Sequence, residues 1–176
     1  MVKELRLFPG FLQPVTGVWH QSVTLPCRIS PPLSAVGLHV RWSRVRSGQP
    51  VHLYRYGHDN TALPDKAYQG RTQLFTEELG NGNVSLRLTD LHPSDSGVYH
   101  CLVQGDGWED QRDITLLIPV TGSQPTVTLD KTGKPRLACR SEGWFPEPEV
   151  TWRDKRGGAL THYTKPGRPG ALHSHQ

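Results

Sequence analysis

The sequence predicts an all-β protein: an antiparallel β-sandwich, followed by an incomplete second domain of the same kind. Segments of alternating apolar and polar residues recur roughly every eight to twelve residues, with turn-forming residues between them. No window shows sustained helical periodicity. The 176 residues include 18 glycines and 15 prolines, a composition that favours turns over long helices.

The first domain contains the clearest strand patterns. Its predicted strands cover 22–29, 38–43, 51–56, 70–75, 84–91, 98–104 and 113–118. In 38–43 the apolar residues alternate, which predicts that Val40 and Trp42 point inward and Arg41 outward. Both faces of 51–56 carry β-branched or aromatic residues, so its inward phase is ambiguous. Asn81-Gly82 predicts a tight turn between the strands on either side.

The pattern restarts after a linker-like segment, PVTGSQP, at 119–125. Cys139 and Trp152 are separated by 152 − 139 = 13 residues, close to the 42 − 27 = 15 residues between Cys27 and Trp42. The predicted organisation is an N-terminal extension (1–10), a first domain (11–119), a linker (120–125), an incomplete second domain (126–163) and a disordered tail (164–176). We expect the second domain to be a loosely packed, hairpin-like fragment that exposes Trp144, Phe145 and Trp152.

Two of the three cysteines occupy inward positions of an early and a late strand. Cys27 and Cys101 are 101 − 27 = 74 residues apart, and Trp42 lies between them. This arrangement is typical of a disulfide that joins two packed sheets, with the tryptophan packed against it. Tyr99, two residues before Cys101, matches the tyrosine corner of such sandwiches.

An arginine and an aspartate that meet at the bottom of such sandwiches are also present. We predict a partly buried, bidentate ion pair between Arg71, which opens the strand at 70–75, and Asp95. Cys139 then remains without a partner.

These residues resemble an immunoglobulin V-set domain. The segments VHLYRYG, YQGRTQLF and GNVSLRLTDLHPSDSGVYHC are more narrowly similar to the butyrophilin family and the related T-cell costimulatory ligands. The segment RLACRSEGWFPEPEVTW resembles the start of the C-set domain that follows in that family. The resemblance implies a receptor-binding surface on the outward face of one sheet, near the loop GDGWED. Its candidate residues are His39, Arg41, Tyr54, Tyr56, His100, Leu102, Gln104 and Trp108. The alternative is an ordinary sheet surface with a few apolar residues.

Asn83-Val84-Ser85 is an N-glycosylation sequon. We expect the Asn83 side chain to leave the sheet opposite the candidate face; the alternative is an unmodified asparagine.

Several function classes lack support in the sequence. The segment from residue 121 holds nine basic and five acidic residues, so the first 120 residues hold 20 − 9 = 11 basic and 16 − 5 = 11 acidic ones. A neutral first domain gives no electrostatic case for binding nucleic acid. No nucleophile elbow or phosphate loop is present, so no catalytic residue, small-molecule substrate or cofactor is predicted. His173-Ser174-His175 is assigned to the tail and not to a metal site.

The predicted function is therefore a non-enzymatic, immune-regulatory recognition module that binds a protein receptor on lymphocytes and modulates T-cell activation. One alternative is a homophilic adhesion module with weak self-association; another is a truncated isoform without independent function. The resemblance implies the external side of the plasma membrane for full-length family members. As written, the chain has no recognisable signal peptide or membrane helix, which predicts a secreted or intracellular product.

Overall fold

A computed structural model describes residues 6–7, 13–45, 47, 49–60, 65–132 and 136–160. The chain divides into two compact units, Met1–Ile118 and Pro119–Gln176. The strands of the first unit are β1 (Arg6–Leu7), β2 (Val15–Thr16), β3 (Val23–Leu25), β4 (Ile29–Ser30), β5 (His39–Arg44), β6 (Pro50–Arg55), β7 (His58–Asp59), β8 (Thr72–Leu74), β9 (Leu86–Leu88), β10 (Gly97–Gly105) and β11 (Trp108–Leu117). The predicted all-β immunoglobulin fold is confirmed.

The first unit is a sandwich of two main sheets. The larger sheet has the strand order β2-β11-β10-β5-β6-β7, and the smaller has the order β3-β9-β8. Neighbouring strands are antiparallel except β2 and β11, which are parallel. A short pair of β1 and β4 completes the sandwich. Because β10 and β5 lie at the centre of the larger sheet, its outward face is built around them.

The core lies between the two sheets and contains the predicted disulfide. Cys27 and Cys101 are bonded, and both are buried, so this prediction is confirmed. Trp42 on β5 is fully buried, and its indole Nε1 donates a hydrogen bond of 3.0 Å to the carbonyl of Val84. Closing a 74-residue loop stabilises the fold by about 4 kcal/mol through the unfolded state.

Two local predictions were wrong. The segment 22–29 is not one strand: β3 ends at Leu25, and β4 begins at Ile29, since Pro26 lacks the N–H that a continuing ladder needs. Asn81 and Gly82 do not form a hairpin turn. Thr76–Asn81 is a 3₁₀ helix that ends at Gly82, whose φ is 73° and where a Cβ would lie 2.8 Å from the carbonyl oxygen of Leu33.

The first strand lies within the segment predicted to be an extension. Leu7 is 1% exposed and belongs to the core cluster. Its N–H donates to Oδ2 of Asp110 at 2.6 Å, and the Arg112 guanidinium donates to its carbonyl at 3.1 Å. The structure therefore includes residues 6–7 in the sandwich.

The second unit contains one hairpin among its described residues. Its strands are β12 (Thr126–Asp130) and β13 (Arg136–Arg140). Val127, Leu129 and Leu137 are exposed on it. Cys139 is half-buried and forms no disulfide with any described residue.

The aromatic residues of the second unit are less exposed than the sequence predicted. Phe145 is exposed, but Trp144 and Trp152 are half-buried. The Trp144 indole donates to Oγ of the buried Ser141 at 2.7 Å, which explains its partial cover. The predicted tail at 164–176 lies outside the described residues.

Candidate protein-binding face

Two arginines fix the turn that leads into β10. Arg71 donates to the carboxylate of Asp95 through Nη2 and, at 3.4 Å, through Nη1. The Asp95 side chain is 5% exposed and the Arg71 side chain 17%, so the structure forms a largely buried pair from these two residues. Arg71 also donates to the carbonyls of Ala67 and Asp90, each at 2.8 Å. Charge-assisted hydrogen bonds therefore stabilise the turn.

Arg44 is the second of these arginines, and no sequence pattern pointed to it. It donates to the carbonyls of Ser94 at 2.7 Å and Ser96 at 2.6 Å. A Cβ at Gly97 would lie 2.6 Å from its Nη2, and Gly97 has a φ of 147°. Glycine at this position therefore lets the guanidinium approach the backbone.

Tyr99 has the hydrogen bond that defines a tyrosine corner. Its hydroxyl donates to the carbonyl of Asp95 at 2.7 Å and lies 3.1 Å from the Tyr68 hydroxyl. Burial, and then the hydrogen bond with Tyr68, raise the pKa of Tyr99 far above its ordinary value. Tyr99 is thus a structural residue that anchors the start of β10.

The outer face, as we call the outward surface of β11, β10, β5 and β6, carries most of the predicted receptor-binding residues. On β10, Leu102 is half-buried and lies between Gln111 of β11 and Arg41 of β5. One step along β10, Gln104 is exposed and lies between Glu109 and His39. Tyr56, which is 77% exposed, meets the His39 ring edge-on at 5.2 Å between centroids.

His100 is a third outward residue of β10. It pairs across the strands with Asp113 of β11 and Ser43 of β5. Its Nδ1 contacts Oδ1 of Asp113 in a hydrogen bond on the surface. This contact fixes the imidazole orientation and places a charged or polar pair beside Leu102.

Two of the predicted residues do not belong to the outer face. Tyr54 is 3% exposed, because it opposes the inward Val40 and its hydroxyl donates to the carbonyl of Val36 at 2.8 Å. Trp108 packs against the core, with its indole over Gly105. Trp108 has the same strand parity as the buried Ile114, so its outward assignment was wrong.

The structure adds Leu53 to the outer face. It opposes Arg41 on β5, so it points outward, yet it is only 8% exposed. Arg41, Leu53, Gln49, Pro50 and Arg55 line a shallow depression there. The sequence pattern of 51–56 did not show which side chains point outward, so it did not predict Leu53. The register with β5 identifies it.

Charge is divided across the outer face. The β11 side carries the exposed acidic residues Glu109 and Asp113. The β5–β6 side carries the exposed basic residues Arg41 and Arg55. Leu102 lies between them, so the face has an apolar centre with opposite charges on its two sides.

Asn83 does not point into solvent, so this prediction was wrong. It is 5% exposed. Its Nδ2 donates to Oε2 of Glu78, and its Oδ1 accepts from Oγ of Ser85 at 2.6 Å. A glycan on Nδ2 would displace the hydrogen bond from this nitrogen to Glu78.

Comparisons with known proteins identify the family and the fold. The immunoglobulin V-set domain profile matches residues 13–119. The profile described as butyrophilin subfamily 3 member A2-like, Ig-C domain, matches residues 121–171. The crystal structure of bovine butyrophilin matches with a TM-score of 0.78 at 29% identity, over 97% of this chain and 82% of that chain. The chain belongs to the butyrophilin-like family of the immunoglobulin superfamily.

Curated members of this family are similar in sequence. "Selection and upkeep of intraepithelial T-cells protein 6" of Mus musculus is 37% identical over 152 residues, which cover 84% of this chain. Butyrophilin subfamily 1 member A1 of Bos taurus is 33% identical over 150 residues, again 84% of this chain. This butyrophilin-like chain spans 12% of the first relative's length and 28% of the second's. No helix among its described residues is long and apolar enough to cross a membrane.

Proposed function

We propose that this chain is a non-enzymatic, immune-regulatory recognition module whose outer face binds a protein receptor on lymphocytes and modulates T-cell activation. It acts, in this proposal, at the external side of the plasma membrane as part of a longer protein. The observation that carries the proposal is Leu102, a partly accessible apolar residue at the centre of a charged sheet face. Apolar centres with polar rims are typical of protein–protein interfaces.

The relatives support the choice of partner. One bears a name that refers to the selection and upkeep of intraepithelial T cells. The bovine butyrophilin structure has the same fold over nearly the whole chain. A partner on T cells therefore fits both the family and the face. Multivalent display would strengthen a sheet-face contact that is weak for a single copy.

Self-association is the second candidate, and the division of charge supports it. A twofold axis along β10 would place the acidic β11 side of one copy over the basic β5–β6 side of the other. Such a contact is self-complementary, as a symmetric dimer requires. The same face would then bind a second copy of the chain instead of a receptor.

Two measurements on the disulfide-bonded chain separate these candidates. A streptavidin tetramer of the biotinylated chain is applied to resting and activated T cells, and sedimentation measures the oligomeric state. The recognition proposal expects cell staining and a monomer. Homophilic adhesion expects a concentration-dependent dimer and no preference for T cells. If neither occurs at high concentration, both functions of the face are refuted.

A further inference from the structure

A cluster of two histidines and one aspartate lies away from the outer face, and the proposed function does not use it. His20 belongs to the turn between β2 and β3, and Asp90 and His92 follow β9. Their nearest ligand atoms all lie within 4.8 Å of one another. Nδ1 of His20 is 3.0 Å from Oδ1 of Asp90, and Nε2 of His92 is 3.9 Å from Oδ2 of the same carboxylate.

We propose that His20, Asp90 and His92 bind a zinc ion. Zinc takes imidazole nitrogens at about 2.0–2.1 Å and carboxylate oxygens at about 2.0–2.2 Å, so two ligands at a tetrahedral angle lie about 3.3 Å apart. The distances of 3.0 Å and 3.9 Å bracket this value. Small side-chain rotations therefore bring all three ligands to one ion, and water takes the fourth position.

The backbone holds the two segments in register. The N–H of His20 donates to the carbonyl of Leu91 at 2.8 Å, and the N–H of Leu91 donates to the carbonyl of Gln21 at 3.0 Å. The backbone of Asp90 is held as well, because Arg71 donates to its carbonyl. The ligands thus come from a fixed pair of turns, which reduces the ordering that metal binding requires.

Backbone conformation at the cluster is unusual. His20 has a φ of 61° and Asp90 a φ of 47°, although neither is glycine. Non-glycine residues in this region are uncommon and mark positions where a particular side-chain direction is held.

The ligand side chains are accessible from solvent. The side chains of His20, Asp90 and His92 are 66%, 58% and 42% exposed, so an ion can reach them from solvent. The His92 side chain also accepts from the backbone N–H of Asp95, and its Nδ1 lies 4.0 Å from Oδ2 of Asp95, so Nε2 is the ring nitrogen turned towards Asp90. Zinc at Nε2 needs the proton on Nδ1 and would therefore release this capping bond. The Trp19 ring stacks on His20 at 5.0 Å between centroids and limits its rotation.

In the test, the disulfide-bonded full chain is titrated with zinc chloride, and calorimetry measures the association constant and the number of ions bound. The melting temperature is then measured in the presence of zinc and in the presence of a chelator. His20→Asn and Asp90→Asn keep a residue that tolerates positive φ, and His92→Gln is in extended backbone. We expect one zinc ion per chain in this cluster. Each substitution should lower its association constant by at least about tenfold and should abolish the zinc-dependent rise in melting temperature.

Two control variants separate this cluster from the other histidines. His58→Gln removes an exposed histidine on the rim of the larger sheet, and His173→Gln/His175→Gln removes the pair near the C-terminus. Both should bind zinc in the cluster as the unchanged chain does. The proposal is overturned if the unchanged chain shows no binding, if the C-terminal pair accounts for it, or if all three ligand variants bind normally.

Imidazole NMR signals of the unchanged chain give a readout that does not depend on any variant. We expect the ring signals of His20 and His92 to shift on addition of zinc, while that of His58 stays in place. Shifts at His58 but not at His20 and His92 would also overturn the proposal.

Discussion

Removal of the Arg71 guanidinium is expected to destabilise the first unit strongly. Arg71→Ala removes the guanidinium donors of the Asp95 carboxylate, whose side chain is 5% exposed. Among the described residues, the N–H of His92, at 2.9 Å, then remains as its hydrogen-bond donor. Loss of one partner of a buried ion pair costs about 3–5 kcal/mol, because the other charge stays desolvated. The carbonyls of Ala67 and Asp90 also lose their donor.

The assay is unfolding by denaturant under non-reducing conditions, followed by tryptophan fluorescence. We expect a loss of about 4 kcal/mol for Arg71→Ala and a coupling of about 2–3 kcal/mol between Arg71→Ala and Asp95→Ala in a double-mutant cycle. Arg87→Ala removes an exposed arginine of β9 and should change stability by less than about 0.5 kcal/mol. A loss below about 1 kcal/mol for Arg71→Ala, or additive effects in the cycle, would refute the reasoning.

The further predictions concern three buried groups: Tyr99, Asn83 and the Cys27–Cys101 bond. The raised pKa of Tyr99 means that the folded protein keeps a proton which the unfolded chain loses above its ordinary pKa of about 10, so stability falls as pH rises through that value. At pH ~11, Tyr99 alone should lower the free energy of unfolding by about 1.4 kcal/mol relative to neutral pH. Between pH ~9 and ~11, Tyr99→Phe should lose less stability than the unchanged chain. An equal loss of stability in both proteins would contradict the assignment. Asn83→Ala should cost about 1–3 kcal/mol in denaturant unfolding, because the hydroxyl and the N–H of buried Ser85 both lose Oδ1 of Asn83 as an acceptor. The intact mass of secreted, folded protein should show no glycan at Asn83, and a glycosylated chain with unchanged stability would contradict the buried position. Reduction of the Cys27–Cys101 bond should cost about 4 kcal/mol in the same assay; a loss below about 1 kcal/mol would contradict its role.

Alternation predicted the central strands well because each has one apolar and one polar face. Val40 and Trp42 of β5 are buried and Arg41 is exposed, as the pattern indicated. The cysteine pair was predictable for a related reason: both residues have inward parity, and the spacing and the intervening tryptophan are typical of the fold.

Alternation failed where polar atoms are buried with partners. His52 and Tyr54 point inward on β6; His52 lies within 3.0 Å of both Thr72 and Asp59, and the Tyr54 hydroxyl reaches the carbonyl of Val36. Asn83 was misjudged similarly, because a sequon says nothing about burial. The contacts with Thr72 and Val36 join residues 20 and 18 positions apart in sequence, so a local pattern does not contain them.

The sequence predicted which strands form the outer face, but not all of the residues that lie on it. Its β10 residues followed from parity next to the cysteine. The register between β5 and β6 decided that Leu53, and not Tyr54, faces outward. Trp108 was misplaced because its surroundings are polar and resemble a loop, although β11 already begins at that residue.

The most direct test of the outer-face proposal is the effect of one added charge at its centre on T-cell binding. Leu102→Arg places a cation in the centre of the outer face, and Gln73→Arg adds the same charge on the exposed face of the opposite sheet. With both variants equal in stability to the unchanged chain, tetramers of Leu102→Arg should bind activated T cells at least about tenfold more weakly, a loss typical of an interface hot spot. Gln73→Arg should bind as the unchanged chain does. Equal binding by Leu102→Arg, or a loss confined to Gln73→Arg, would contradict the assignment of the receptor site to the outer face.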